Sequence, residues 1–148
     1  MDNLATLEIE TDGMGLTDIT DQIRVLFNQY FSKIISVYPC GILHFHIPHT
    51  SCAITMSEAF DPSAKKDLES FMDHIAPQNL PFITHTAEGP DDSPSHMKSI
   101  IVGENRFVFI DAGQLLLGTW QGIYLCEFRS SPKKRKIHMK YAPDAFNI

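Results

Sequence analysis

Apolar and polar positions change period several times along this chain, and each period names an element. Leu4, Leu7 and Ile9 mark an extended segment over 4–11, closed by a turn at Gly13 and Gly15. Ile23, Leu26, Phe27 and Tyr30 then fall at i, i+3, i+4 and i+7. That spacing predicts a helix capped by Thr17 or Thr20 and running to about Tyr30. After Pro39 and Gly41 the period drops to two. Leu43, Phe45 and Ile47 point one way and Ile42, His44 and His46 the other, which is a half-buried strand. A second extended stretch covers 51–57, with Pro48 marking an irregularity between the two.

Asp61 followed by Pro62 pairs an N-cap acceptor with the residue best suited to the first helical position. Leu68, Phe71, Met72 and Ile75 continue that helix, and Pro77 stops it. Residues 82–85 read as short and extended, and 86–93 as a polar loop. Ser93-Pro94 repeats the cap-then-proline device, predicting a helix over 94–102 ended by Gly103. Residues 107–110, 115–117, 119–128 and 135–141 read as strands. Strands and helices mix without regular βαβ alternation, so the expected fold is α+β, with helices packed on a mixed, mostly antiparallel sheet. No repeat and no linker divides the 148 residues, which predicts one domain over 1–148.

Composition narrows the function classes. Hydrophobic residues make up 43%, and 8 glycines with 9 prolines are too few for a low-complexity chain. The net charge of −6 argues against general nucleic-acid binding. No apolar run approaches the roughly 18 residues of a membrane helix. The first fifteen residues lack an apolar stretch, and three cysteines without CxxC spacing suit a reducing compartment, so a cytoplasmic location is expected. The charge is uneven: residues 1–92 carry 14 acids against 4 Lys/Arg, while 93–148 carry 4 acids against 8. Half of those eight form Lys133-Lys134-Arg135-Lys136, which reads as a solvated turn or as a patch facing phosphate.

The 7 histidines are the unusual count. His49 sits at a corner between two extended segments, and His85 precedes the polar loop. His96 falls in the first turn of a helix, where the dipole disfavours the imidazolium. Neutral imidazoles bind metals, and three with one open position suit a catalytic zinc site. Spacing does not bring the three together, so independent hydrogen-bonding histidines stand as the alternative. His44-Phe45-His46 is a rival pair on one strand face. His74 and His138 read as surface residues.

Among the acids, Asp61 reads as a cap, and Asp92 as an acid that orients an imidazole or caps the helix. Glu127 lies in an otherwise apolar strand and needs a partner such as Arg129 or a metal. It is the acid best placed to act as general base or ligand. Residues 113–122 hold three glycines in neither P-loop nor dinucleotide-binding spacing. Trp120 and Gln121 there are suited to stack on and hydrogen-bond a small ring, although an indole more often packs in a core.

His49-Thr50-Ser51-Cys52-Ala53, Glu58 with Asp61-Pro62 and Asp67-Leu68, Pro90-Asp91-Asp92-Ser93-Pro94-Ser95-His96, and Gly113 through Gly118-Thr119-Trp120-Gln121 follow one another in order. Together, over about residues 4–141, they resemble the YjbQ-like family, often labelled secondary thiamine-phosphate synthase. The resemblance implies a compact α+β domain, usually a homotrimer, with a metal site at His49, His85 and His96 and an acid at Glu127. The activity attached to the family joins hydroxymethylpyrimidine diphosphate to thiazole phosphate, giving thiamine phosphate and pyrophosphate. Ser51, Cys52, Ile83 and Thr86 depart from the usual pattern. Thr86 matters most, because an aspartate often follows the second histidine.

These readings lead to a metal-dependent enzyme acting on a small phosphorylated substrate. A divalent metal, zinc by preference, sits on His49, His85 and His96. Glu127 serves as base or fourth ligand, Asp92 and Thr50 orient the shell, and Trp120, Gln121 and Arg129 bind substrate. Two alternatives use the same residues: a non-catalytic trimer that binds a small anion, and a metal-dependent phosphoester hydrolase.

Overall fold

The computed structural model describes residues 4–144. Eight strands and four helices follow in the order β1 (Leu4–Thr11), β2 (Gly15–Asp18), α1 (Thr20–Tyr30), α2 (Ser32–Ile35), β3 (Gly41–His46) and β4 (Cys52–Glu58), then α3 (Pro62–Ile75), α4 (Asp92–Val102), β5 (Asn105–Asp111), β6 (Gln114–Leu115), β7 (Gln121–Glu127) and β8 (Lys133–Pro143). The strands form two sheets, β1-β8-β3-β5-β6 and β2-β7-β4, and every strand pair is antiparallel. The class is α+β.

Period-two patterning does what it predicts in β3: Leu43 and Phe45, with Ile47 just beyond, are buried. They join Ile137, Met139 and Tyr141 of β8, Ile54 of β4 and Ile123 and Leu125 of β7 in one core. Ile23 and Phe27 of α1 close it, with Phe27 edge-on to Tyr141 at 5.6 Å between ring centroids. The second sheet is buried on both faces. Its outer face carries Leu16, Ala53, Tyr124 and Cys126, covered by Leu68 and Met72 of α3 and Val102 of α4. Burial pushes the thiols of Cys52 and Cys126 up to about 12, so both behave as small core residues.

Several elements differ from their expected bounds. The turn around Gly15 opens into β2, which pairs with β7 from Gly15↔Glu127 to Asp18↔Tyr124. Residues 82–85 form no strand. Asp61 caps α3 as expected, its Oδ1 accepting from the Ser63 N–H at 2.8 Å. Yet α3 buries none of its residues fully, and Phe71 is exposed. The run Lys133–Lys136 is not a turn: it opens β8, where alternation sends Arg135 inward and leaves Lys134 and Lys136 exposed and facing Glu10 and Glu8.

Helix α4 carries the chemistry and is fixed against β4 from one side. The Ser99 hydroxyl donates to the Cys52 carbonyl at 2.9 Å, and the Ile54 N–H to the Gly103 carbonyl at 3.2 Å. Gly103 stops the helix at φ +97°, where a side chain would be strained.

Candidate metal centre

The first turn of α4 begins at Asp92, two residues before the expected start, with Asp91 at the N-cap. Asp92 and His96 are thus i and i+4 on one helix face. Asp92 is 2% exposed, and its Oδ2 lies 2.8 Å from His85 Nε2 and 3.4 Å from His96 Nε2. Among the described residues, His85, Asp92 and His96 are the group whose ligand atoms all lie within 4.8 Å of one another. Both imidazoles are partly open to solvent.

Hydrogen bonds outside the group fix its chemistry. His96 Nδ1 lies 2.7 Å from the Thr50 carbonyl oxygen. A carbonyl only accepts, so Nδ1 carries a proton, and Nε2 is the nitrogen that offers a lone pair in the neutral tautomer and the one that faces Asp92. A lone pair facing a carboxylate oxygen is the arrangement that a bound cation relieves. The other oxygen of Asp92, Oδ1, accepts from Arg129 Nη1. Arg129 also donates from Nε to Asp91 Oδ2 at 3.1 Å and from Nη2 to the Glu88 carbonyl at 2.8 Å. One guanidinium therefore ties the loop before α4 to both acids at its start. Burial opposes the charge on Asp91, but the N–H and O–H of Ser130, with Arg129, outweigh it and hold that carboxyl below its usual range. Two imidazole nitrogens and a carboxylate oxygen, with Asp92 and His96 each oriented by an outer partner, match the donor set of a catalytic divalent-metal site.

Several expected roles move. His49 is not in the group. Its Nε2 accepts the Lys136 N–H at 2.9 Å, so the neutral ring is protonated on Nδ1 and has no free lone pair. Partial burial, then the Arg135 guanidinium, push His49 below its ordinary value and favour this neutral form. It lines, with His96, Thr50 and Ile100, a groove of about 560 Å³ beside the group. Thr50 acts through its backbone carbonyl. Asp92 is a candidate ligand itself rather than an orienting acid.

Glu127 finds its partner in Arg135, not in the Arg129 side chain. Arg135 Nε donates to Oε2 at 2.7 Å and Nη2 to Oε1 at 2.6 Å. Thr11 Oγ1 adds a bond to Oε2 at 3.0 Å, and the Arg129 N–H one to Oε1 at 3.0 Å. Glu127 is 1% exposed and fully engaged. Arg129, for its part, spends its donors on protein acceptors. The rival pair shares the exposed face of β3 but is outside the metal group: His46 Nδ1 meets Asn105 Oδ1 at 2.8 Å, and the His44 ring lies near Phe107.

Trp120 is not a core residue; it is 56% exposed. Gln121 and Glu127 are the two ends of β7. At the usual rise of a strand, about 20 Å separates them. Since Glu127 lies at the Arg129 end, Trp120 and Gln121 do not join the metal group within this chain. The sequence missed the clamp by Arg129 and the Glu127–Arg135 pair. Its one available signal was an arginine at an inward position of the last strand.

A family model described as UPF0047 protein YjbQ-like matches residues 5–144. A UPF0047 protein of Methanocaldococcus jannaschii is 42% identical over 129 residues, covering 87% of this chain and 86% of that protein. A Bacillus subtilis UPF0047 protein is 36% identical over 138 residues, covering 93% and 97%. Among solved structures, a conserved hypothetical protein from Thermus thermophilus superposes with a TM-score of 0.79 at 28% identity, over 93% of this chain and 99% of that one. An uncharacterised YjbQ/UPF0047 protein from Clostridium acetobutylicum gives 0.79 at 29%, over the same shares.

Proposed function

The chain belongs to the YjbQ-like UPF0047 family, and from that premise we propose that His85, Asp92 and His96 hold a divalent metal, zinc by preference, at which a small phosphorylated substrate reacts. The observation that carries this reading is the meeting of His85 Nε2, His96 Nε2 and Asp92 Oδ2, while Arg129 and Thr50 occupy the remaining polar atoms of Asp92 and His96. A metal bound there supplies positive charge to the oxygens of a phosphate or diphosphate. Arg129 holds the Asp92 carboxylate aimed. Thr50 keeps the His96 lone pair free. His49 offers its Nδ1–H to a substrate oxygen in the adjoining groove.

The reaction we favour is the one that the family resemblance suggests. The carbon–oxygen bond between a hydroxymethylpyrimidine and its diphosphate breaks, the thiazole nitrogen takes the methylene carbon, and pyrophosphate leaves. Such a step asks for charge stabilisation on the leaving group rather than a strong base. That suits a site whose nearby Glu127 is engaged on both oxygens. The proposal includes a homotrimer: light scattering that returns a trimer supports this part, and a monomer removes it.

Metal analysis of purified protein, paired with a thiamine-phosphate assay, tests the reading. We expect one metal per chain, lost in His96→Ala together with the coupling activity. A wild type with no stoichiometric zinc, manganese or iron, and equal turnover in His96→Ala, would overturn it. Stoichiometric metal with pyrophosphate or phosphate binding but no coupling would leave the metal centre and discard the synthase step.

A further inference from the structure

Far from the metal group, the start of β7 walls a cavity of about 560 Å³ against the start of α1. Its most exposed wall is aromatic. Trp120 is 56% exposed and Phe60 74%, and their rings meet edge-on with centroids 4.9 Å apart. Large aromatic surface left in water beside a concave polar site is a common mark of ring recognition.

Two polar side chains in the same wall are each half used. Gln121 Oε1 accepts the Gly118 N–H at 2.8 Å, and its Nε2 amide hydrogens meet no acceptor among the described residues. Asp18 Oδ1 accepts the Thr20 N–H at 2.9 Å and the Thr20 hydroxyl at 2.6 Å, while Oδ2 meets no donor among them. In each case one atom holds the fold and the other is left over. The surplus is complementary: a donor on Gln121 and an acceptor on Asp18. Gly122 keeps the backbone low beside Asp18; a Cβ there would come within 2.5 Å of Ala59 Cβ and 3.1 Å of Asp18 Oδ2.

We infer that this cavity is a second binding site, for a planar heterocycle bearing both a hydrogen-bond donor and an acceptor, as nucleobases do. The ring lies against Trp120, its acceptor takes the Gln121 amide and its donor meets Asp18. The site is independent of the metal centre and stands whether or not the proposed reaction does.

Trp120 is the chain's 1 tryptophan, so the indole N–H signal in a proton–nitrogen NMR spectrum reports on this cavity alone. Cytidine and adenosine serve as probes, and p-cresol as a ring of comparable stacking surface without ring heteroatoms. A saturable shift of the indole signal is expected with at least one nucleoside and not with p-cresol. Gln121→Glu keeps the acceptor for Gly118 but removes the donor. Asp18→Asn keeps the acceptor for Thr20 but turns the other atom into a donor. Each is expected to raise the half-saturation point by about ten-fold or more, with the backbone spectrum intact. His96→Ala is expected to leave the titration unchanged, which separates this site from the metal centre. The inference falls if neither nucleoside gives a saturable shift, if p-cresol matches them, or if both variants titrate like wild type. It also falls if the indole signal moves with protein concentration alone, because a second copy then covers the cavity.

Discussion

Two arginine–carboxylate clusters sit within a few residues of each other, and they are built for different ends. In one, Arg135 grips both oxygens of Glu127, and Thr11 and the Arg129 N–H complete the shell. In the other, Arg129 grips one oxygen of Asp92 and leaves the second facing two imidazoles. A carboxylate bound on every side has no capacity for new chemistry and serves to close the core. A carboxylate gripped by arginine on one side is held still, yet its second oxygen can still turn to a ligand. Whether an oxygen is left outside the arginine's grip matters more here than the identity or burial of the acid.

That contrast breaks most visibly at Glu127. Glu127→Gln leaves the Arg135 guanidinium buried and uncompensated, and removal of one member of a buried pair costs about 3–5 kcal/mol. Urea unfolding should show the loss, while metal affinity per folded molecule stays near wild type. If the variant instead keeps its stability and loses metal, Glu127 belongs to the open cluster and the contrast is wrong. Asp92→Asn should do the reverse. Losing a direct donor is expected to lower zinc affinity by more than about 100-fold, beyond the range of outer-shell changes, as read by chelator competition, with a smaller change in stability.

Arg129→Met tests whether the clamp acts through Asp92. An outer partner of a metal ligand contributes about 10–100-fold in affinity, so competition should place this variant between wild type and Asp92→Asn. Thr11→Val removes one bond from the closed cluster and should cost about 1 kcal/mol in the same urea experiment. The smallest effect lies on the acid limb. Because folding holds the Asp91 carboxyl below its usual value of about 3.9, its contribution is complete above that pH. It is lost as pH falls through the lower folded value. In Asp91→Asn the melting temperature should therefore fall less steeply below about pH 4; an unchanged slope would remove Asp91 from the charge-holding set.

Much of the frame was legible in the sequence because period carries it. Leu43, Phe45 and Ile47 declare their face, and Asp61-Pro62 declares a helix start. What the pattern hides is pairing between distant positions. His85 and His96 were recognisable as ligands, but only the fold shows that Asp92 joins them and that Lys136 occupies His49. Arg135 was hidden inside a basic run that reads as surface, since period two on β8 becomes visible only once the strand's bounds are known. Trp120 misled in the other direction: hydrophobicity alone assigns an indole to the core, while its place at a strand end leaves it in water.

The strand that delivers Arg135 has a further consequence. β8 pairs along its length with β1, from Thr11↔Lys133 to Leu4↔Lys140, contacts that span 122 residues or more. Such pairings close the longest loops in the chain and lower folding rates through their contact order. On a ribosome, β1 emerges without its neighbour and must wait, edge bare, for nearly the whole chain to be translated. Ion pairs at Glu8 and Glu10 await it on β8, and acids at an unpaired edge discourage the wrong strand from docking first. Assembly of the closed cluster, which takes Thr11 from β1 and Arg135 from β8, is therefore expected to be a late event in the life of the nascent chain.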